Sequence, residues 1–327
     1  MLSILIPTYN REKELRKNLH ELCAMINTFD LYQKVEIIIS DNGSNDYTLD
    51  TIQEIVKSNP KVNIHLNVNA KNFGAKYNVL KVLELSHAGY VMYLGDDDYI
   101  SSDYLLEVIH TIENNPNITC IISSYQNILP SGEKIDRQRD VGKPSKIYKK
   151  GFSNCLCNSW RGHQLSGLVF KREGLLEEYV QCNADNLYPF IFFVVVNTFK
   201  GDTYHLTRYP ILVSRPSQSK KDWGYGDDGL ISDVFENYKK SNRLTLVQKF
   251  LLEVKFLDCQ YWRYAMYLKL GISKFIKCLI SIMKSNNTSL LTKLLLPLLI
   301  FFILSKKFLI LVFSGKLFST LKTKVEI

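Results

Sequence analysis

The 327-residue chain lacks any stretch of about 20 apolar residues, the length a helix needs to cross a hydrocarbon core. No charged segment followed by an apolar run precedes the first strand, which begins at Leu2, so no secretory signal is expected. The seven cysteines are scattered and odd in number, and no pair has CxxC spacing. Cys155 and Cys157 have neither a partner pair nor an HxxxH nearby, which argues against zinc and for reduced thiols in a cytosolic setting. No GxGxxG follows the first strand, so a dinucleotide-binding dehydrogenase is not expected. There is no internal repeat and no low-complexity tract. From residue 269 onward there is no arginine and one acid, Glu326, against ten lysines. Those residues carry the whole net charge of +9, and residues 1–268 are balanced. A nucleic-acid-coating surface is therefore not expected.

What is present is a folded composition, 46% hydrophobic and 22% charged, with chain enough for one large domain or two ordinary ones. The first hundred residues alternate apolar runs with helical patterns. Strands are expected over residues 2–6, 35–39, 63–66 and 90–94. Leu15, Leu19, Leu22 and Ile26 mark one helix, Ile52, Ile55 and Val56 a second, and a third runs from Asn72-Phe73-Gly74 to Leu85. Such alternation implies an α/β fold with a mostly parallel sheet covered on both faces. Ligands bind at the carboxyl ends of such strands, where each polar cluster of this region falls. Further along, residues 130–150 read as a polar loop. Residues 165–170 and 189–196 read as sheet or core, 214–229 as a turn-rich loop, and 230–284 as helical.

Asp96-Asp97-Asp98, directly after the strand Tyr90-Val91-Met92-Tyr93-Leu94, is the strongest chemical signal. Adjacent carboxylates repel one another, and their hard oxygens suit Mg²⁺ or Mn²⁺. The plainer reading is a solvated turn, or a cap by Asp98 on a helix beginning near Ser102. Asp41 follows the second strand in the same way and suits either a nucleobase N–H or an ordinary turn.

Four segments occur in order: Ile4-Leu5-Ile6-Pro7-Thr8-Tyr9-Asn10-Arg11, Glu36 to Asp46 around Ser40-Asp41-Asn42-Gly43, Asn72-Phe73-Gly74 with Asn78, and Gly95-Asp96-Asp97-Asp98. Together they resemble the N-terminal half of family 2 glycosyltransferases over about residues 1–115. Residues 164–193 are more loosely similar to bacterial polysaccharide members, such as abequosyltransferase-like enzymes of O-antigen or capsule assembly. The resemblance implies a GT-A fold and an inverting, metal-dependent sugar transfer. The donor would be a nucleoside-diphosphate sugar and the acceptor a polyprenyl-diphosphate-linked saccharide.

The resemblance also implies roles. Pro7, Thr8 and Tyr9 would line the nucleotide with Arg11 close by, Asp41 would hold the base, and Asn72 and Gly74 belong to the same site. Asp96 and Asp97 would meet the ribose and diphosphate, and Asp98 with Asp96 the Mn²⁺ or Mg²⁺. Many relatives carry Arg where this chain has Tyr77, and Lys76 is the substitute cation. The general base would be Asp185, in Ala184-Asp185, where relatives often show Glu-Asp. His163 is a candidate acceptor contact. Arg215, Lys220, Lys221 and Trp223 form either a lid over the diphosphate or a solvated linker.

A GT-A domain is expected over residues 1–229, with a nucleotide-sugar half (1–115) and an acceptor half (116–229), followed by a helical region over 230–327. Residues 294–304 are uncharged, then come Ser305-Lys306-Lys307 and a second apolar run, 308–313. This tail is either a buried core helix or an interfacial anchor whose lysines meet anionic headgroups at the cytoplasmic face of the cell membrane. The competing functions are a sugar-nucleotide-forming nucleotidyltransferase and an inactive nucleotide-sugar-binding protein. The former usually has a Gly-rich loop after the first strand, where this chain has Thr8-Tyr9-Asn10-Arg11-Glu12.

Overall fold

A computed structural model describes residues 1–215 and 224–313. They fall into two compact units, one ending at Gly224 and one beginning at Tyr225. The first unit opens with β1 (Leu2–Thr8), α1 (Glu12–Thr28), β2 (Val35–Asp41), α2 (Thr48–Ser58), β3 (Asn63–Val68), α3 (Ala75–Glu84), β4 (Tyr90–Tyr93) and α4 (Ser102–Asn114). It continues with β5 (Ile118–Ile128), β6 (Lys134–Arg139), β7 (Lys146–Tyr148), α5 (Phe152–Asn158) and a 3-10 turn, Ser159–His163. β8 (Leu168–Lys171), α6 (Leu175–Gln181), α7 (Pro189–Lys200) and β9 (Asp202–Ser214) complete it. The second unit holds α8 (Ile231–Lys240), α9 (Leu246–Cys259), α10 (Trp262–Lys269), α11 (Ile272–Lys284) and α12 (Leu290–Phe313).

The strands form one sheet in the order β3-β2-β1-β4-β8-β5-β9-β7, with β6 against β5. The four strands of the N-terminal half are mutually parallel. β8 lies antiparallel between β4 and β5, and β9 runs parallel to β5. Side chains alternate across a strand, and here both faces are covered. Leu2, Ile4 and Ile6 of β1 enter a core with Leu15, Leu19 and Leu22 of α1 and Ile52 of α2. Leu5, between them, points to the opposite core with Val82 of α3 and Phe192 and Phe193 of α7. Two layers of helices thus clamp the sheet, and the polar carboxyl ends of β1, β2 and β4 are left together at one edge.

Two stretches differ from expectation. Residues 189–196, expected as sheet or core, are core, buried from Pro189 through Thr198, but as helix α7 and not as sheet. A helix apolar all round shows no 3.6-residue period, and its Val194-Val195-Val196 imitates a strand. Residues 130–150, expected as a loop, contain the short strands β6 and β7. β6 is strongly polar and β7 is three residues long, as sheet-margin strands commonly are. None of the seven cysteines is in a disulfide, and Cys23, Cys120, Cys155 and Cys278 are buried.

Candidate active site

β1 and β2 end side by side, with Thr8 opposite Asp41 and Pro7 opposite Ser40. The bend at Tyr9-Asn10 after β1 is laced to the loop after β2. Asn10 N donates to Ser44 Oγ at 2.8 Å, Arg11 N donates to Thr48 Oγ1 at 2.9 Å, and Asn10 Oδ1 accepts from Asn45 N at 2.9 Å. Asp41 is buried, and its carboxylate accepts from Ser44 N at 3.3 and 3.2 Å and from the Ser44 hydroxyl. Gly43 adopts φ +73°, and a Cβ there would lie 2.8 Å from the Lys71 backbone. Only glycine fits that turn.

Beside Asp41 lies a network of amides. Asn42 Nδ2 donates to Asn72 Oδ1 at 2.8 Å, and Asn69 Nδ2 donates to Asn42 Oδ1 at 3.0 Å and Asn78 Oδ1 at 3.1 Å. Asn78 Nδ2 donates to Ser40 O at 2.7 Å and Thr8 O at 3.3 Å, closing the network onto the ends of β1 and β2. Asn72 Oδ1 also accepts from Gly74 N at 2.8 Å, which fixes the entry to α3.

The acid triplet follows β4 on the other side of β1. Thr8 Oγ1 donates to Asp96 Oδ2 at 2.8 Å, and Arg11 Nε lies 3.7 Å from Asp96 Oδ1. Asp98 is buried and clamped from the second half of the chain. Its Oδ1 accepts from Ser214 N at 3.0 Å, and its Oδ2 accepts from the Ser166 hydroxyl and from Gln164 Nε2 at 3.3 Å. The Ser214 hydroxyl donates to Asp97 O. Asn18 Nδ2 on α1 reaches the carbonyls of Gly95 and Asp98. The cap of α4 is Ser101, whose Oγ accepts from Tyr104 N at 3.1 Å, so Asp98 has no capping duty.

Burial, then repulsion from Asp97, push the Asp96 carboxyl well above the usual carboxylate range, against the opposing pull of Arg11 and Thr8. Asp98 is raised by the same two causes, against Ser166, Ser214 and Arg215. The protein neighbours alone therefore do not offset the charge the triplet would carry when fully ionised. Its hard oxygens and its charge fit a divalent cation such as Mg²⁺ or Mn²⁺. Among the described residues no three His, Cys, Asp or Glu side chains converge as a metal cage. The donor set suits a cation shared between one or two carboxylates and a substrate's phosphates.

Asp185 sits in the segment between α6 and α7, largely exposed, and forms an ion pair with Lys76 of α3. The structure thus joins two candidates assigned to separate roles. His163 lies at the end of the 3-10 turn, its Nδ1 2.9 Å from Trp160 O and its ring stacked on Trp160 at 6.2 Å. It directly precedes Gln164, which reaches Asp98. Arg215 lies beside β9's end, where Nε donates to Asn127 Oδ1 at 3.1 Å. Lys220, Lys221 and Trp223 lie outside the described residues.

The 3-10 turn is braced by a buried charge cluster. Asp140 Oδ2 lies 2.8 Å from Arg161 Nε and 3.2 Å from His205 Nε2, the latter at poor hydrogen-bond geometry. Lys143 Nζ reaches Asp140 Oδ1 at 2.7 Å, and Arg139 donates to Arg161 O at 2.9 Å. Against the upward pull of burial, His205, Arg161 and Lys143 hold the Asp140 carboxyl well below its usual range. Burial pushes the His205 imidazole down, more than Asp140 draws it up.

Sequence reasoning missed Asn18, Asn42, Asn69, Ser166 and Ser214. Asn18 gave a usable signal, being a polar residue three positions from Leu15 on the apolar stripe of α1. The two serines gave none, because the partner they hold is far away in sequence.

Residues 3–176 match the family model described as glycosyl transferase family 2. The abequosyltransferase of Salmonella typhimurium is 26% identical over 260 residues, which is 75% of this chain and 72% of that protein. The GalNAc(5)-diNAcBac-PP-undecaprenol beta-1,3-glucosyltransferase of Campylobacter jejuni is 27% identical over 154 residues, 46% of this chain and 48% of that protein. Residues 1–349 of S. aureus TarS, solved with UDP-GlcNAc, match at TM-score 0.65 and 15% identity, over 86% of this chain and 79% of that one. A mannosyltransferase of Pyrobaculum calidifontis, solved with GDP-Man and Mn²⁺, matches at TM-score 0.56 and 13% identity, over 86% and 74%. At those identities the two structures speak to the fold alone.

Proposed function

The chain belongs to glycosyl transferase family 2, and from that premise we propose that it moves a sugar from a nucleoside diphosphate to a lipid-linked saccharide, with inversion at the anomeric carbon. The observation that carries the reading is the convergence of Thr8, Arg11, Asp41 and the Asp96–Asp98 triplet at the carboxyl ends of β1, β2 and β4. The nucleotide end of the donor would lie along Asp41 and the amide network around Asn72 and Gly74, with Pro7, Thr8 and Tyr9 beneath it. Asp96 and Asp97 would meet the ribose and diphosphate. Asp98 with Asp96 would hold Mg²⁺ or Mn²⁺. When bound, such an ion offsets the charge that builds on the leaving diphosphate.

Asp185 would take the proton of the acceptor hydroxyl as general base. Lys76 would keep the Asp185 carboxylate in place until an acceptor arrives. His163 and Trp160, on the turn leading into Gln164, would border the acceptor. Arg215 would steady the diphosphate from the β9 side. A polyprenyl-diphosphate-linked acceptor is supported by the PP-undecaprenol in the name of the Campylobacter relative, and bacterial surface-polysaccharide assembly is part of the same proposal. The enzyme would then work at the cytoplasmic face of the cell membrane, with its basic C-terminal region toward the lipid.

The test is thermal stabilisation by UDP-, GDP- and CDP-sugars, with and without Mn²⁺. A ligand at 100 times its Kd adds about 2.7 kcal/mol. One nucleotide class should stabilise the protein, and more so with the metal. A folded protein that no nucleotide sugar stabilises in either condition would overturn the donor assignment.

A further inference from the structure

The second unit carries a surface that sugar transfer does not use. In α11, Ile272, Ile276 and Ile280 recur every four residues and are 43–63% exposed, whereas Cys278 and Ile282 on the other side are buried. In α12, Leu296, Ile300 and Ile303 are buried, and the helix packs against α9 and α11. Its opposite side presents Leu290, Leu294, Leu298, Phe301 and Phe302 to solvent, each more than half exposed. Large contiguous apolar patches are rare on proteins that meet only water.

Charge says what covers this face. Between residues 269 and 313 there are seven lysines and no acid. Lys306 and Lys307 are paired with Asp258, at 3.1 and 3.0 Å. Lys274, Lys277 and Lys284 are exposed along α11, among and beyond its isoleucine row. A second copy meeting this face with its own matching face would bring lysines against lysines with no acid from residues 269–313 to receive them. An anionic lipid surface accepts both the cations and the apolar side chains.

We infer that the exposed faces of α11 and α12 together dock in the plane of an anionic bilayer. The inference deepens the placement at the membrane given above and assigns it to a folded two-helix surface. α12 lies along the surface and does not cross, because its Leu296–Ile300–Ile303 side is committed to the protein. Among the described residues no helix is long and apolar enough to span a membrane.

The test is co-sedimentation of the full chain with vesicles of phosphatidylcholine mixed with phosphatidylglycerol, and of phosphatidylcholine alone. The wild type should bind the anionic vesicles much more tightly and be released by high salt. Lys274→Gln with Lys277→Gln should weaken that binding about thirtyfold. Ile276→Asp with Phe302→Asp should weaken it at least about tenfold, and both sites are exposed enough to leave the fold intact. Thermal stabilisation by a soluble nucleotide sugar should be unchanged in both double variants, so a failure of docking is separable from a failure of the donor reading. A wild type that binds neither vesicle and elutes as a dimer would assign the face to a second copy and overturn the inference. Binding that survives alkaline carbonate would overturn in-plane docking in favour of insertion. Equal binding by wild type and both variants would place the lipid contact elsewhere.

Discussion

The backbone N–H of Ser214 donates to Asp98 Oδ1 at 3.0 Å, joining the end of β9 to the acid triplet after β4 across 116 residues of sequence. With Ser166 and Gln164 on the other oxygen, the Asp98 carboxylate takes these hydrogen bonds from the C-terminal half of the first unit, while Asn18 of α1 holds its carbonyl. The half of the sheet that holds the nucleotide motifs therefore does not finish the site by itself.

Asp98→Asn keeps the shape of the clamp and removes the charge. Nucleotide-sugar affinity should fall and no longer respond to Mn²⁺, while Tm changes little. Asp98→Ala should in addition cost about 1–3 kcal/mol, because buried donors lose their acceptor. Titration calorimetry with and without Mn²⁺ decides the first point. An unchanged metal response in the Asn variant would remove Asp98 from the cation site.

Asp185→Asn should leave donor affinity nearly intact and lower turnover by about 10²–10⁴-fold, the usual loss for a general base. The measurement is a steady-state rate on a saccharide acceptor together with donor binding. Turnover near the wild-type value would place the base on another residue.

The Asp140 cluster should make the fold acid-sensitive in two stages. His205 has a folded pKa below its unfolded value of about 6.5. Its contribution is complete above that value and is lost as pH falls below it, since the unfolded chain binds the proton first. Asp140 is depressed, so its contribution is present above about 3.9 and fades as pH falls further. His205 should therefore pull Tm down from pH 7 to 5, against the gain expected as the raised Asp96 and Asp98 carboxyls take up protons, and His205→Gln should remove that downward pull. A Tm curve of identical slope in the variant would exclude His205 as the cause. Asp140→Asn leaves buried cations unpaired and should cost about 3–5 kcal/mol at neutral pH.

Gly43→Ala should destabilise the loop after β2 and weaken donor binding together. The left-handed φ and the 2.8 Å approach to Lys71 both oppose a Cβ. A penalty of about 1–3 kcal/mol is expected from urea unfolding. A variant with wild-type stability would show that the loop relaxes at no cost.

The N-terminal half was legible because local and global signals agree there. β1, β2 and β4 are apolar runs, broken only by Ser3 and Glu36, that end in polar clusters, and the helices between them carry periodic apolar residues. The second half gave weaker signals. β5 and β9 are long and partly polar, and α7 has no polar face to reveal its period. The site was legible as a set of acids and turns but not as an assembly. Nothing local to Ser166, Gln164 or Ser214 says that they meet Asp98, and nothing local to Lys76 says that it meets Asp185. Those contacts follow from strand order, which places β8 beside β4 and β9 beyond β5.

The network of Asn42, Asn69, Asn72 and Asn78 contains no group that titrates between pH 4 and pH 10, about the range set by carboxylates and amines. Its shape is set by amide dipoles alone, which neither salt nor protons rearrange at moderate concentration. The acid triplet on the other side of β1 responds to both. The two ends of the donor pocket are therefore separable by solution conditions. On the proposed placement a free nucleobase would meet Asp41 and the amides but not the triplet, so its affinity should be nearly flat in ionic strength and in pH around neutrality. The added affinity of the ribose and diphosphate should carry most of the dependence.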